Sequence, residues 1–344
     1  MVTIGIDAHK RTHTVVVVDE QGRKLAQKTT GTTSSEHLRL IAWAATHGDA
    51  RLWAIEDCRH LSRRLERDLL GAAERIVRVP PKLMANARDA ARTFGKSDPI
   101  DALAVARAAL REPDLPSARL DGPERELRLL VDHREDLVQE RTRMSNRLRW
   151  HLHELDPGSE PRARSLKHVR NLDSLAAGLE DREGLVARLA RELVRRCREL
   201  TVEIRKLERE IAALVEALAP SLLAIRGCGA LTAAKIVGET AGVCRFRSRH
   251  AYARYNGTAP LPVWSSNHAR HRLSRSGNRQ LNAALHRIAL TQAQWHPEAK
   301  VLIARRKAQG DGSLEALRVL KRRLSDVVYR ALKADAAIEL SLAA

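Results

Sequence analysis

The sequence predicts an α/β domain at residues 1–112, followed by a mostly helical remainder. Two observations support this fold class. In the first third of the chain, short β-branched segments alternate with amphipathic helical segments, which is the plan of an α/β domain. Beyond residue 120, apolar residues recur at helical spacing.

The N-terminal elements follow from residue type in chain order. Three segments are predicted as antiparallel strands, namely TIGID, THTVVVVD and KLAQKTT. Alternating helices and strands follow, namely SSEHLRLIAWAATHG, ARLWAIED, HLSRRLERDLLGAAE and RIVRVPP. The segment DPIDALAVARAALRE is then predicted as a helix with Pro99 in its first turn.

Charge divides the chain into three parts. Residues 1–110 hold 18 Lys and Arg against 13 Asp and Glu, residues 111–220 hold 22 against 22, and residues 221–344 hold 21 against 7. The last part carries most of the formal net charge of +19, which is typical of a polyanion binder. We therefore predict regions at residues 1–112, 120–219 and 220–344, with nucleic acid as a partner.

The middle region contains a heptad pattern. Its apolar positions, spaced alternately by four and three residues, are Leu193, Cys197, Leu200, Ile204, Leu207, Ile211, Leu214 and Leu218. This spacing predicts a helix with a coiled-coil seam, and residues 124–155 are the expected partner helix. The pair closes either within one chain or in an oligomer, and the pattern alone does not choose between a spacer and an assembly role.

Composition excludes several classes of protein. The four cysteines, at positions 58, 197, 228 and 244, lack metal-like spacing and are expected to be buried thiols. A membrane span needs about 18 consecutive apolar residues, and no apolar run in the sequence approaches that length. The N-terminus has no signal-peptide pattern. We expect a soluble, cytoplasmic protein associated with the nucleoid and not with a membrane.

Four carboxylates stand where predicted strands end or a helix begins, namely Asp7, Glu56, Asp98 and Asp101. The carboxyl ends of neighbouring strands meet at one sheet edge, and residues three apart share a helix face. Four such groups repel one another unless a cation lies among them. Oxygen ligands favour Mg²⁺ or Mn²⁺, and paired ions of this kind serve phosphodiester chemistry.

Each acid also has a simpler interpretation. Asp98 is a candidate helix N-cap, Asp101 a candidate partner of the helix dipole, and Asp7 a candidate ion-pair partner of Lys10. Asp57 is expected on the opposite strand face, so Glu56 is preferred. The arrangement of all four acids at strand ends and a helix start favours the metal site.

The last region opens with LLAIRGCGALTAAKIVGE, two glycines between helical segments. This pattern predicts a helix-hairpin-helix that offers backbone N–H groups to a phosphate, with a tight helix–helix turn as the alternative. The candidate nucleic-acid contacts in this region are Arg226, Lys235, Arg270, Arg272, Arg275 and Arg279.

The segments GIDAHK, AIED and GKSDPIDALAVARAAL resemble the N-terminal RuvC-like (RNase H-like) DEDD domain of the IS110 family of insertion-sequence transposases. IRGCGALTAAKIVGE, YNGTAP and RHRLSRSGNRQLNAALH resemble the family's C-terminal transposase domain. The resemblance runs the length of the chain and implies that Asp7, Glu56, Asp98 and Asp101 are the catalytic, metal-binding acids. A departure at EDCRHLS, where relatives have a smaller turn, affects the neighbouring loop.

The resemblance also implies a serine recombinase mechanism, in which a serine becomes joined to DNA. Counting from Gly257 and Pro260 places this nucleophile at Ser265. Ser266 stands where glycine is usual and is the reserve candidate. A serine hydroxyl needs activation. His268 and His271 are candidate bases, although phosphate contact is the commoner role for such histidines, and Ser274 and Ser276 are expected to contact phosphate.

The family implies guidance by a noncoding bridge RNA and a homo-oligomer, from dimer to tetramer, with DNA as substrate. Two other functions fit the residues. One is a Holliday-junction resolvase or related nuclease, which uses the acids and water without a covalent serine. The other is a non-enzymatic nucleic-acid-binding protein with structural acids.

Overall fold

A computed structural model describes residues 1–57, 59–89, 97–112, 115, 117–118, 122–159, 161–162, 164–265, 268–273 and 277–343. The chain divides into two compact units. The first comprises Met1–Asp121 with Cys244–Ala251, and the second comprises Gly122–Val243 with Tyr252–Ala344. The sequence-based boundary at residue 220 lies inside the second unit.

The first unit is built on a five-stranded sheet with the order β3-β2-β1-β4-β5. Its strands are β1 (Val2–Ala8), β2 (Thr12–Val18), β3 (Lys24–Gly31), β4 (Arg51–Glu56) and β5 (Ile76–Val79). The first three strands pair antiparallel, whereas β1, β4 and β5 are parallel. This mixed sheet confirms the predicted α/β class.

The helices of the first unit are α1 (Ser34–Ala45), α2 (Arg59–Gly71), α3 (Pro81–Asp89) and α4 (Asp98–Arg111). The sequence predicts α1, α2 and α4, and it does not predict α3. The N-cap of α1 is Thr33. The Thr33 side chain accepts a hydrogen bond from the Glu36 backbone N–H, and the Glu36 carboxylate accepts one from the Thr33 backbone N–H.

Most of the second unit is helical, which confirms the second half of the predicted fold class. Its long and short helices are α5 (Pro123–Leu155), α6 (Val169–Gly178), α7 (Leu185–Leu218), α8 (Pro220–Leu223), α9 (Ala230–Thr240), α11 (Arg279–Trp295), α12 (Pro297–Ala308) and α13 (Ser313–Ala343). Helix α10 (Arg249–Tyr255) crosses the boundary between the units, and the hairpin strands β6 (Pro260–Ser265) and β7 (His268–Leu273) follow it. Among the described residues, none of these helices combines the length and apolar composition needed to span a bilayer.

The heptad seam of α7 is covered within the second unit. Helices α5 and α7 run in opposite directions, with Leu137 packed beside Leu200 and Ile204. Arg196 donates to Glu140 at 2.7 Å, and a salt bridge joins Arg134 to Glu208. Residues 124–155 are thus the partner that the sequence indicates, while the oligomeric state stays a prediction.

The cysteines differ from the expectation at one position. Cys197 and Cys228 are buried, and burial raises the pKa of the Cys228 thiol to about 12. Cys244 is exposed, so the expectation of a buried thiol is wrong there. Cys58 lies outside the described residues.

The sheet of the first unit is covered on both faces. One face of β1, carrying Ile4 and Ile6, packs with α1 and α2 through residues such as Leu40 and Leu65. The other face lies against the alanine-rich side of α4. Because side chains alternate along a strand, Gly5 and Asp7 belong to the face that meets α4.

Gly5 lets α4 approach β1 so closely that main-chain atoms of the helix occupy the place of a Cβ atom. A Cβ atom built at Gly5 would lie 2.1 Å from the Ala102 carbonyl oxygen and 2.6 Å from the Ala106 nitrogen. Both are main-chain atoms of a helix and have no rotamer that could move them aside. The glycine therefore sets the distance between the sheet and the helix that carries two of the predicted acids.

A buried histidine pair lies on the opposite face of the sheet. His13 of β2 stacks on His37 of α1 with ring centroids 5.4 Å apart, and His37 Nδ1 lies 2.7 Å from Asp68 Oδ2. Burial, with smaller contributions from the charges of His37 and His9, lowers the pKa of His13 to about 4. His13 is thus neutral in the folded protein at neutral pH.

We expect Gly5→Ala to lower the free energy of unfolding by about 3 kcal/mol, because the helix must move away from the strand. Urea unfolding measures this change. Gly71→Ala is the matched control, since a Cβ there has no atom within 4 Å, and it should stay within about 1 kcal/mol of wild type. Equal destabilisation by the two substitutions would contradict the close approach.

We expect His13 to make the folded protein less stable as pH falls. Its folded pKa lies below the unfolded value of 6.5, so the unfolded chain binds the proton first. Between pH 7 and pH 5 this costs about 2 kcal/mol, a loss that His13→Gln should remove. Urea unfolding of both proteins at the two pH values checks it, and parallel pH profiles would contradict it.

Candidate active site

Strands β1 and β4 place Asp7 and Glu56 side by side. Ile6 pairs with Ile55 in parallel register, and the acids are the next residues on each strand. Equivalent positions on adjacent parallel strands point to the same face. Asp7 is only 8% exposed and Glu56 is partly buried, so both carboxylates meet the α4 side of the sheet.

The start of α4 supplies the other two acids. Ser97 is the N-cap residue, and Asp98 and Asp101 lie in the first turn, with the Asp101 N–H donating to the Ser97 carbonyl. Asp98 is therefore not the N-cap that the simpler interpretation required. The close approach at Gly5 brings this turn to the carboxyl end of β1.

His9 is a site residue that the sequence analysis missed. Its Nε2 lies 3.0 Å from Asp7 Oδ2 and 3.5 Å from Asp98 Oδ1. One ligand atom from each of the three residues lies within 4.8 Å of the others. The partner of Asp7 is thus His9 instead of the suggested Lys10. The available signal was position, since His9 follows Asp7 by two residues just beyond the strand.

Arg88 is a second unforeseen member of the site. It lies at the end of α3, and its Nη1 donates to Asp101 Oδ1 at 3.1 Å. Asp101 is 8% exposed, so this guanidinium balances a buried charge. Nothing in the spacing between positions 88 and 101 indicates the contact, because it depends on how α3 packs on α4.

Burial, reinforced by the charges of neighbouring acids, raises the pKa of Asp7 and of Glu56. Burial is the main cause of the raised pKa of Asp7, with additional contributions from the charges of Asp101 and Asp98, while His9 acts in the opposite direction. Burial also raises the pKa of Glu56, followed by the charges of Asp7, Asp101 and Asp57. Asp57 was expected on the other face of β4, but the strand ends at Glu56 and Asp57 lies beyond it.

This donor set fits a divalent cation. Acids whose pKa rises through burial and mutual repulsion gain most from a nearby positive charge. Carboxylate oxygens are the ligands that Mg²⁺ and Mn²⁺ prefer, and Asp7, Glu56, Asp98 and Asp101 would hold such an ion. The imidazole of His9 adds a nitrogen at the same place.

The sequence-predicted serine ends a strand. Ser265 is the last residue of β6 and pairs with His268, the first residue of β7, in an antiparallel hairpin. Arg270, His271 and Arg272 lie on β7. The reserve candidate Ser266, together with Ser274, Arg275 and Ser276, lies outside the described residues.

The glycine hairpin of the last region is a turn between a one-turn helix, α8, and α9. Gly227 has a φ of +86° and packs close to Thr291 of α11, and the Gln292 side chain donates to the Arg226 carbonyl at 2.8 Å. The Arg226 side chain is exposed, as is that of Arg279 at the start of α11.

Lys235 requires a correction. It is only 4% exposed, and its Nζ donates to Asp132 Oδ1 at 3.1 Å and to Glu135 Oε2 at 2.9 Å, both on α5. These two acids of α5 neutralise its charge where α9 packs against α5. The positively charged sequence around Lys235 does not reveal this contact. We therefore leave Lys235 out of the candidate nucleic-acid contacts.

We expect Glu56→Gln to raise the free energy of unfolding of the metal-free protein by about 1 kcal/mol, because it removes one of several repelling, partly buried charges. It should also abolish the rise in melting temperature that wild type shows with Mg²⁺ or Mn²⁺. Differential scanning calorimetry with and without each ion measures both effects.

Glu74→Gln is the control of opposite sign. Glu74 accepts hydrogen bonds from Arg51 at 2.6 Å and from the buried Trp53 indole at 2.7 Å, so neutralising it should destabilise the fold and leave the ion effect intact. A stabilising Glu74→Gln, or a destabilising Glu56→Gln, would contradict this account of the acids.

Comparison with known proteins adds family information. A family model for DEDD transposases of IS110, described as "Transposase", matches residues 4–157, and a model described as "Transposase IS116/IS110/IS902 family" matches residues 219–304. The solved structure of T. thermophilus RuvC in complex with Holliday junction substrate is 17% identical and covers 34% of this chain and 99% of that chain, with a TM-score of 0.26.

Curated insertion-element proteins are similar over long stretches. The uncharacterized 42 kDa protein of IS900 from Mycobacterium paratuberculosis is 26% identical over 96% of this chain and 95% of its own length. The uncharacterized 44.8 kDa protein of IS116 from Streptomyces clavuligerus is 34% identical over 42% of this chain and 37% of its own length. The chain belongs to the IS110/IS116/IS902 family of transposases.

Proposed function

We propose that this transposase cuts and rejoins DNA through a covalent serine–DNA intermediate, with a divalent metal held by four carboxylates and a noncoding bridge RNA as guide. The observation that carries the proposal is the convergence of Asp7 and Glu56 with the first turn of α4. Their repulsion is relieved by a cation, and phosphodiester chemistry uses such cations.

The acids and the serine have different tasks in this proposal. Asp7, Glu56, Asp98 and Asp101 hold the ion, which when bound supplies Lewis-acid stabilisation of charge on the phosphate. Mg²⁺ is the expected ion, with Mn²⁺ as the alternative.

The Ser265 hydroxyl attacks the DNA phosphorus. One phosphodiester bond breaks as one phosphoserine ester forms, and a DNA hydroxyl leaves. The serine proton passes to a base, for which His268 and His271 are candidates, and the leaving DNA oxygen takes up a proton. Attack by a second DNA hydroxyl reverses the exchange and rejoins the strand.

Arginines of the last region supply the phosphate contacts. Arg270 and Arg272 on β7, with Arg275 nearby in sequence, are candidates to stabilise charge on the attacked phosphate. Arg226 and Arg279 are exposed and are candidates for backbone contacts elsewhere on the nucleic acid. The scarcity of acids in residues 221–344 supports this assignment.

The resemblance to the family supports RNA guidance and a dimeric or tetrameric assembly. In this scheme base pairing with the RNA chooses the DNA sites, and the protein contacts backbone and shape. The family's active site combines the acidic domain of one subunit with the serine domain of another. We propose the same arrangement for the present chain.

A metal-dependent nuclease is the second candidate. All four acids belong to the first unit, so water could replace the serine as nucleophile without any change in their arrangement. The two mechanisms differ in one product, a protein joined covalently to DNA. That product is the deciding measurement.

We expect the full-length protein to form a denaturation-resistant DNA adduct on a supercoiled plasmid carrying its element, with Mg²⁺ and the candidate bridge RNA. Ser265→Ala and Asp101→Asn should each reduce the adduct roughly 10³-fold or more, because each removes a group needed for bond exchange. Denaturing gel electrophoresis of labelled DNA measures it.

Ser266→Ala is the matched control and should retain the adduct. Loss of the adduct in Ser266→Ala alone would transfer the nucleophile to that residue. Cleavage that persists in Ser265→Ala without any adduct would establish the nuclease. Binding without cleavage by wild type would favour a non-enzymatic role.

A further inference from the structure

The β6–β7 hairpin stands on a compact group of residues in the second unit. The chain enters the hairpin after Tyr255, Asn256 and Gly257, and it returns at Gly277 and Asn278. We call these five residues the hairpin base. They come from the motifs YNGTAP and RHRLSRSGNRQLNAALH, and the proposed mechanism assigns no role to any of the five.

The two ends of the hairpin touch through their backbones. The Asn278 N–H donates to the Tyr255 carbonyl at 2.6 Å. A Cβ atom on Gly277 would lie 2.3 Å from the Gly257 nitrogen and 2.4 Å from its Cα. Gly257 itself has a φ of +70°, where a side chain is disfavoured. Both glycines are therefore required by this contact.

Asn256 fixes the first end. It is fully buried, and its Oδ1 accepts hydrogen bonds from the Thr258 N–H at 3.1 Å and the Thr258 hydroxyl at 2.7 Å. Its Nδ2 lies 2.7 Å from Ser325 Oγ on α13, and its carbonyl accepts from Asn282 Nδ2 on α11 at 2.8 Å. Because both the oxygen and the nitrogen of this buried side-chain amide are hydrogen-bonded, the Asn256 side chain is held in one orientation.

Asn278 fixes the second end. Its Oδ1 accepts from the Leu281 N–H at 2.9 Å and caps α11, while its Nδ2 donates to Glu239 Oε2 on α9 at 2.6 Å. Glu239 is 4% exposed, and its Oε1 lies 3.9 Å from Arg128 Nη2. A carboxylate buried this deeply is costly unless it is hydrogen-bonded, so the contact with Asn278 is an important part of its compensation.

We propose that the hairpin base, through the Asn278–Glu239 hydrogen bond above all, holds β6–β7 in one orientation and thereby positions Ser265 for reaction. The inference rests on the proposed function and adds positioning residues to it. The five steps from Pro260 to Ser265 span about 17 Å at about 3.3 Å per residue. A 10° tilt at the base would move the serine by about 3 Å. This displacement is as large as the distance of about 3–3.5 Å at which reacting atoms must be held.

The test uses a donor–acceptor exchange in the full-length protein. Asn278→Asp keeps an oxygen to cap α11 but sets a carboxylate against Glu239. Adding Glu239→Gln restores a hydrogen bond with donor and acceptor exchanged. Asn278→Ser is the matched control for the cap, because it keeps a capping oxygen and loses the amide donor.

Two readouts are needed. The first is amide hydrogen exchange of residues 260–273, with the amides of α5 as internal reference. The second is the rate of the DNA adduct under the conditions given above, with DNA affinity measured alongside. We expect Asn278→Asp to speed hairpin exchange at least tenfold and to slow adduct formation about 100-fold, with DNA affinity and α5 exchange unchanged.

The double variant should bring hairpin exchange to within about twofold of wild type and the adduct rate to within about tenfold. Asn278→Ser should keep fast hairpin exchange and slow adduct formation, because it lacks the amide donor to Glu239. Unchanged exchange and adduct rates in Asn278→Asp would overturn the inference, as would failure of the folded double variant to recover. If wild type forms no adduct but exchange responds as expected, the base holds the hairpin and the serine mechanism fails instead.

Discussion

The backbone contact between β1 and α4 is the constraint on which the candidate active site depends. A glycine at position 5 lets the helix lie where any larger residue would collide with main-chain atoms. The first turn of the helix then falls beside the end of β1, and two acids from the helix join Asp7 and Glu56 from the sheet. Moving the helix outward by the thickness of a methyl group would separate them.

The proximity of the four acids is electrostatically unfavourable, and this repulsion distinguishes the site from the rest of the unit. Burial and mutual repulsion raise the pKa of Asp7 and Glu56, and two neighbouring cationic or ionisable groups, His9 and Arg88, offset part of the negative charge. Elsewhere in the same unit a buried acid such as Glu74 is fully engaged by hydrogen bonds. Repulsion retained at one place and compensated at another is the expected pattern where function, and not stability, selects the residues.

The second unit solves a related problem with neutral groups. A two-stranded hairpin is marginal by itself and needs its ends held by the surrounding structure. Buried amides and close glycine contacts do this at the hairpin base, and α9, α11 and α13 supply the partners. Lys235 also has a structural role, because this basic residue joins α9 to α5 through its contacts with two acids.

The sequence alone determined the α/β class, the antiparallel direction of the first three strands, the helix beginning at Asp98 and the heptad partner of α7, because these depend on local periodicity and chain order. It also indicated the four acids and Ser265 by their positions at strand and helix ends and by family resemblance. Only the tertiary structure decided that His9 and Arg88 join the acids, that Lys235 is buried and that Asn278 meets Glu239. Those contacts join elements distant in sequence or depend on the exact approach of packed helices, and no local pattern encodes such distances.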